Sequence, residues 1–189
     1  KHGNSPKTLG WGGGIERQYI RFENLLRIGV NDGDSVLDVG CGFGDLFGYT
    51  KKIGLDINYL GVDINSNLLE VALEKHPEIN TKCVDINNYQ FSSKFDWVLA
   101  SGIFNAKLIA EDNITYFSKM LKNMFELSSK GVSVDFMHTF VDYEADGSFH
   151  TNPQDAIREA KKNSWEINLL MDYLPYECAI HIYKNNKEI

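Results

Sequence analysis

Residues 35–45, SVLDVGCGFGD, decide the fold of this chain. Valine and leucine surround a single aspartate, Asp38, and this composition predicts a short buried strand. Gly40, Gly42 and Gly44 follow, and glycine permits a tight backbone bend that a ligand can approach without meeting a side chain. A strand that runs through such a bend into a helix predicts a nucleotide-like ligand at the carboxyl end of that strand.

The rest of the chain alternates between β-rich runs and amphipathic helical stretches. The pattern predicts helices at 15–30, 44–53, 66–75, 114–127 and 153–162, and strands at 35–39, 59–64, 81–86, 95–100, 132–137, 165–171 and 178–183. Only residues 172–177 separate the last two strands, too few for a crossover connection, so these strands should form a hairpin. We therefore expect an α/β, Rossmann-like fold with a seven-stranded, mostly parallel sheet, a C-terminal antiparallel hairpin and helices on both faces.

Length and composition predict one globular domain, residues 15–189, preceded by an arm. The 189 residues include 43% hydrophobic and 24% charged residues, as in ordinary globular proteins. Residues 1–14 are polar and glycine-rich, which predicts a flexible segment. Trp11 could make this arm a lid over the site; an unstructured tail is the alternative.

Charge and cysteine usage narrow the partners and the compartment. The net charge of −7 disfavours binding to nucleic acid, and no apolar run approaches the roughly 20 residues of a membrane span. The chain shows neither a signal-peptide pattern nor paired cysteines, so Cys41, Cys83 and Cys178 are expected to be free thiols. We therefore expect a cytoplasmic protein that does not contact membranes.

The spacing of the glycines and two carboxylates favours a cationic cofactor over NAD. A dinucleotide fingerprint reads GxGxxG, with a helix amino terminus facing a pyrophosphate, whereas this segment reads GxGxG and continues with Asp45. Asp38 and Asp45 bracket the bend and would repel a pyrophosphate. Asp38 could instead orient the ammonium group of a methionine moiety.

With this arrangement, the segment resembles the first motif of class I S-adenosylmethionine-dependent methyltransferases. The resemblance implies that Asp63 holds the ribose hydroxyls, that Asp85 and Ile86 contact adenine, and that the end of the fourth strand faces the transferred methyl group. For Asp85 the alternative is a strand-end aspartate that stabilises a turn. The full set of implied cofactor-binding residues is Asp38, Gly40, Cys41, Gly42, Gly44, Asp45, Asp63, Ile64, Asp85, Ile86, Ser101 and Gly102.

A wider resemblance covers essentially the whole chain. The arm around Trp11, the helix residues Arg21 and Phe22, and the segments 101–105 and 172–177 are similar to a group of small bacterial methyltransferases with little assigned chemistry. The (N/D)PP(Y/F) motif of many amino-group methyltransferases is missing after the fourth strand. Methylation of DNA bases is therefore disfavoured, and the acceptor is not determined.

Three residues after the fifth strand are the catalytic candidates. His138 is the leading general base because an ordinary imidazole titrates near neutrality, with a ring bonded to the backbone as the alternative. His150 could serve instead or be an exposed loop residue, and Tyr143, with Tyr173 and Tyr176, could line the acceptor pocket or pack at its rim.

A metal bound by His138, Asp142 and His150 is a minor alternative because their spacing is loose, so no metal site is predicted.

These residues together predict an enzyme that transfers a methyl group from S-adenosylmethionine to an oxygen or nitrogen of a polar small molecule. A sugar or a nucleotide-activated precursor fits the acidic charge and the lack of an added recognition domain. The alternatives are a cofactor-binding module without catalysis, a methyltransferase acting on RNA or protein, and an NAD-dependent enzyme. The oligomeric state stays open.

Overall fold

A computed structural model describes residues 14–184 as a twisted sheet covered by helices. The helices are α1 (Gly14–Leu26), α2 (Asp45–Ile53), α3 (Ser66–Lys75), α4 (Asn113–Leu127) and α5 (Pro153–Ala160). The strands are β1 (Ser35–Val39), β2 (Asn58–Asp63), β3 (Thr81–Cys83), β4 (Phe95–Ala100), β5 (Ser128–Met137), β6 (Ile167–Leu174) and β7 (Glu177–Tyr183).

The strand order places the predicted ligand site between β1 and β4, where the connecting segments leave the sheet toward opposite sides. The order is β3-β2-β1-β4-β5-β7-β6, and β7 runs antiparallel to both of its neighbours. The strands β1 to β5 are mutually parallel, so their carboxyl ends meet at one edge of the sheet. In such a sheet, ligands bind where the chain leaves to opposite sides, which here is between β1 and β4. The predicted fold is confirmed, including the closing hairpin.

The two faces of the sheet differ in chemistry. One, which we call the apolar face, packs against α4 and α5 and forms a large hydrophobic cluster; its members include Leu37, Val98, Val132, Phe136, Cys178 and Ile180. The other packs partly against α1, and side chains there alternate with those of the apolar face. We call this second face the polar face because it buries Asp38, Ser133, Asp135, Glu177 and His181.

Several element boundaries were predicted wrongly, and polar groups or a glycine explain two of them. The first helix ends at Leu26 rather than residue 30, because a turn follows in which Gly29 has a φ of +122°. The third strand ends at Cys83 rather than residue 86. Asp85 accepts a hydrogen bond from the backbone of Asn87 at 2.9 Å, and this turn replaces the end of the predicted strand.

Other boundaries shift by a few residues at the ends of elements. The largest shift is in β5, which begins at Ser128 rather than residue 132 because its pairing with β4 starts there. No helix within residues 14–184 combines the length and hydrophobicity needed to cross a bilayer. The predicted arm with Trp11 lies outside the described residues, except for Gly14, which begins α1.

Candidate functional site

A cleft of about 470 Å³ opens at the carboxyl ends of β1, β2 and β4. Most of the residues predicted to bind the cofactor line it together: Gly40, Gly42, Asp63, Ile64, Asp85, Ile86, Ser101 and Gly102. A narrow cavity of about 30 Å³ adjoins the cleft and is bordered by Asp38, Cys41 and Asp45. Gly40, Gly42 and Ser101 border both spaces, so the two lie side by side.

The glycine bend requires residues without side chains. Gly40 has a φ of +73°, and a Cβ atom there would lie 2.4 Å from Cγ2 of Ile103. Gly42 has a φ of +53° and donates its backbone N–H to Oδ2 of Asp63 at 3.1 Å. The other oxygen of Asp63 accepts the backbone N–H of Asn65 at 2.9 Å. Asp63 therefore ties the bend to the end of β2 and holds its carboxylate at the edge of the cleft.

Asp38 is a buried carboxylate in an acidic surrounding. The hydroxyl of Tyr59 donates to its Oδ2 at 2.6 Å. Burial raises the pKa of Asp38 to about 7, and repulsion from Asp63, Asp45 and Asp135 adds to the increase, while the Tyr59 hydrogen bond opposes it. A positive ligand group beside Asp38 would favour its ionised form, so the site is electrostatically suited to a cation.

Asp45 is compensated within the protein. It forms an ion pair with Lys75 and accepts a hydrogen bond from Nε2 of Gln18 at 3.0 Å. Its charge is thus balanced before any ligand arrives. Of the two carboxylates that bracket the bend, Asp38 is the one without a cationic side chain as its hydrogen-bond partner.

Asp85 and Gly44 have structural roles that the sequence pattern does not separate from binding. Asp85 lines the cleft, yet its oxygens also accept hydrogen bonds from Asn87 and Asn88, which matches the alternative of a turn-stabilising aspartate. Gly44 borders neither the cleft nor the narrow cavity. It precedes α2, and a Cβ atom there would lie 2.5 Å from Cδ1 of Ile79. A glycine is therefore needed at this position so that the backbone can pack closely against Ile79.

Asp135 is a functional candidate that sequence reasoning missed. It lies on β5 and is 1% exposed. Its Oδ2 accepts the hydroxyl of Ser101 at 2.6 Å, and its Oδ1 accepts the backbone N–H of Gly102 at 2.7 Å. Burial raises the pKa of Asp135 to about 6, Arg21 lowers it and Glu177 raises it further. A charged residue inside a predicted strand without other charges was the available signal.

A second polar group lies beneath α1 on the same face. Arg21 and Glu177 form a buried ion pair through two parallel hydrogen bonds. The hydroxyl of Tyr173 is buried nearby without a hydrogen-bond partner, and burial together with the charges of Asp135 and Glu177 raises its pKa. Oε1 of Gln18 is likewise buried and unpartnered.

The three catalytic candidates lie outside the two spaces. His138 is buried, its Nδ1 accepts the backbone N–H of Phe140 at 3.1 Å, and burial lowers its pKa. His150 is also buried rather than exposed, with Nδ1 at 2.9 Å from the carbonyl oxygen of His138. Tyr143 is 77% exposed. Their catalytic roles stay predictions, and for His138 the geometry favours the alternative of a backbone-bonded ring.

Further residues of the cleft lie on helices whose sequence pattern predicted packing in the hydrophobic core rather than a place in a ligand site. Leu68 on α3 and Tyr116, Lys119 and Met120 on α4 border it, beside Glu111 in the preceding loop. They flank the apolar stripe of each helix, which is the signal that could have identified them. Among residues 14–184, no three histidine, cysteine, aspartate or glutamate side chains are grouped to hold a metal ion.

The residues present fit an adenosyl cofactor with a positive sulfur. The cleft offers apolar walls, including Ile64, Leu68 and Ile86, that suit a purine, and the carboxylate of Asp63 at its edge. The narrow cavity offers the buried carboxylate of Asp38, which suits an ammonium group.

Comparisons with known proteins agree with this geometry. The methyltransferase domain family matches residues 36–131, just over half of the chain. The Mycobacterium tuberculosis protein Rv1506c, named as a methyltransferase, is 27% identical over 162 residues, covering 82% of this chain and 97% of that protein. Protein 235L of invertebrate iridescent virus 6, also named as a methyltransferase, is 26% identical over 107 residues, covering 56% of this chain and 40% of that protein.

A solved structure extends the similarity to the fold. Magnesium protoporphyrin IX methyltransferase from Synechocystis PCC 6803, with bound SAH, has a TM-score of 0.69 at 15% identity, covering 90% of this chain and 84% of that one. The family match includes the glycine bend, Asp63, Asp85 and Ser101. The chain therefore belongs to the methyltransferase domain family, which confirms the resemblance to class I S-adenosylmethionine-dependent methyltransferases together with the enzyme class and the cofactor that it implies.

Proposed function

We propose that this enzyme transfers the methyl group of S-adenosylmethionine to an oxygen or nitrogen of a polar small molecule. The observation that carries the proposal is the position of the cleft and the narrow cavity side by side, with Gly40, Gly42 and Ser101 bordering both. When bound, the cofactor supplies an electrophilic methyl carbon, and the protein holds the nucleophile in line with it.

The cofactor would be held by residues of both spaces. Asp63, at the end of β2, would accept hydrogen bonds from the ribose hydroxyls, and Ile64 and Ile86 would contact the adenine. Asp38 would face the ammonium group in the narrow cavity. That cavity is too small for an amino-acid tail, so we expect α1, which contributes Gln18 to its wall, to move outward on binding.

The acceptor would bind beside α1 and the β6–β7 hairpin. Buried polar atoms without partners lie there, namely Nε of Arg17, Oε1 of Gln18 and the hydroxyl of Tyr173. Unpartnered buried polar atoms are costly, and a ligand with several hydroxyl or amine groups would satisfy them. This is the reason for preferring a polar metabolite, such as a sugar or a nucleotide-activated precursor, over a macromolecule.

Calorimetric titration with S-adenosylhomocysteine and with NAD tests the cofactor assignment. We expect binding of the adenosyl ligand and none of NAD, because Asp38, which has no cationic side chain as its hydrogen-bond partner, would repel a pyrophosphate. Binding of NAD with no effect of S-adenosylhomocysteine would refute the proposal.

A panel of radiolabelled methyl-transfer assays tests the acceptor class. Sugars, amino sugars, nucleotide sugars, RNA and protein are incubated with the enzyme and labelled cofactor, and incorporation into each is counted. Label in RNA or protein alone would overturn the small-molecule assignment, and tight cofactor binding without any transfer would favour a non-catalytic module.

We also propose that residues 15–189 act as one domain in the cytoplasm.

A further inference from the structure

Ser101 occupies the junction of the two spaces. It directly follows β4 and borders both the cleft and the narrow cavity. The inference below rests on the proposed function, in which adenosine fills the cleft and the amino-acid tail fills the narrow cavity. The sulfonium group, which links those two parts of the cofactor, then lies beside Ser101.

Asp135 determines the direction of the Ser101 hydroxyl. Ala100 of β4 is in register with Val134 of β5, so Asp135 is the next residue along β5 and Ser101 the next residue after β4. The hydroxyl proton of Ser101 is directed to Oδ2 of Asp135 at 2.6 Å. Since a hydroxyl has one proton and two lone pairs, the oxygen is left to act as an acceptor for another group. The Gly102 N–H, bonded to Oδ1 at 2.7 Å, keeps the carboxylate in this orientation.

We propose that the Ser101 hydroxyl receives the proton of the methyl acceptor and that Asp135 is the positioning residue that takes up the proton Ser101 gives away. The acceptor class is then a nucleophile that carries a proton, an amine N–H or a hydroxyl O–H. A bond forms from its nitrogen or oxygen to the methyl carbon, and the carbon–sulfur bond breaks with its electron pair remaining on sulfur. The nucleophile's proton moves to Oγ of Ser101, and the original hydroxyl proton moves to Asp135.

The charges around Asp135 are compatible with this role. It faces Arg21 from α1, Asp38 from β1, Tyr173 from β6 and Glu177 from β7. Arg21 is the cation among these groups, and it is already bonded to Glu177. Burial leaves the pKa of Asp135 at about 6, close enough to neutrality for the group to accept a proton transiently.

The test compares two ligands that differ only at the reacting group. Sinefungin carries an amine-bearing carbon where S-adenosylhomocysteine has sulfur, so the ratio of their dissociation constants reports what faces the transferred methyl. Calorimetry at pH 8 should give sinefungin an advantage of about tenfold or more in the wild type, as expected for one charge-assisted hydrogen bond. Asp135→Asn and Ser101→Ala should each reduce this advantage to about twofold, while the constant for S-adenosylhomocysteine changes by less than about threefold.

Ser101→Ala keeps the charge of Asp135, so it separates the hydroxyl from the general field of the carboxylate. The wild-type advantage should also decline as the pH is lowered from 8 to 5, because Asp135 becomes protonated, and it should be flat in Asp135→Asn. Asp172→Asn, at an exposed position of β6, is the control and should change neither constant.

The inference would be overturned if Ser101→Ala left the ratio of the two dissociation constants unchanged. It would also be overturned if both variants lost affinity equally for sinefungin and S-adenosylhomocysteine. A wild type that fails to bind S-adenosylhomocysteine would instead overturn the proposed function.

Discussion

The two faces of the sheet are built on the same strands and differ by one residue in register. On β5, Val132, Val134 and Phe136 contribute to the apolar face, while Ser133 and Asp135 between them contribute to the polar face. Buried carboxylates cost folding free energy unless they gain partners, whereas buried hydrocarbon stabilises the fold. The comparison teaches that the apolar face contributes stability, whereas the polar face, which also buries an apolar cluster with Val36, Trp97 and Leu99, gives up stability where it holds charged groups beside a ligand site.

The largest expected effect comes from breaking the apolar face. Phe117 on α4 is 1% exposed, and its ring lies 4.6 Å from that of Phe104 and 5.7 Å from that of Phe136. Phe117→Ala should lower the free energy of unfolding by about 4 kcal/mol through lost burial and a cavity. Urea denaturation measures this. Below the transition, S-adenosylhomocysteine should bind with an unchanged constant, and a large affinity loss in folded protein would contradict the division between the faces.

Removing one half of the buried ion pair should be nearly as costly on the polar face. Arg21→Met leaves Glu177 buried without its main partner and should lower the free energy of unfolding by about 3 to 4 kcal/mol. The double variant Arg21→Met, Glu177→Leu removes both charges. It should recover most of the loss, because a buried ion pair seldom outperforms well-packed hydrocarbon. A double variant no more stable than the single one would show that the pair itself stabilises this face.

A smaller effect is expected at the edge of the cleft. Asp63→Ala should weaken S-adenosylhomocysteine binding by about 3 kcal/mol, because two charge-assisted hydrogen bonds to the ribose are lost and each is worth about 1.5 kcal/mol. Calorimetry gives the constants, and Glu126→Ala, an exposed position on α4, serves as the matched loss of one negative charge. Equal affinities in wild type and Asp63→Ala would remove the ribose assignment.

The smallest effect concerns Asp38 and pH. Its pKa of about 7 in the folded chain exceeds the ordinary 3.8, so the folded state holds the proton more tightly and stability is lost as pH rises from about 4 to about 7. Asp38→Asn removes this loss. The free energy of unfolding of Asp38→Asn minus that of the wild type should therefore be about 2 kcal/mol larger at pH 7.5 than at pH 5.

Urea denaturation of both proteins at the two pH values measures the difference between them, in which the contributions of other titrating groups cancel. A pH-independent difference would mean that the pKa of Asp38 is not raised in the folded chain.

The sequence was sufficient for the fold and for the cleft residues that follow the first four strands, because local rules govern both. The glycine bend after a buried strand, and the spacing from it to Asp63, follow from backbone geometry that few residues satisfy. The hairpin followed from the shortness of the segment before β7. These features depend on residues near one another in the chain.

Features that depend on distant partners were not predictable. In the sequence, Asp135 is a polar residue within a predicted strand and nothing more. Its candidate role follows from the hydrogen bonds that Ser101 and Gly102, which come after β4, donate to it on β5. His138 was favoured for its chemistry, yet its ring is engaged by the backbone of Phe140. Turn-forming side chains around Asp85 overrode the β propensity that predicted a longer third strand.

The position of β7 has a consequence for how the chain is made. It is the last strand in sequence but an interior strand in space, hydrogen-bonded to β5 on one side and β6 on the other. During synthesis, one edge of β5 therefore has no hydrogen-bonded neighbour until residues 177–183 have left the ribosome. A nascent chain can pair wrongly at such an open edge. Glu177 lies on that strand, so the ion pair between Arg21 and Glu177 can form only once β7 has joined the sheet.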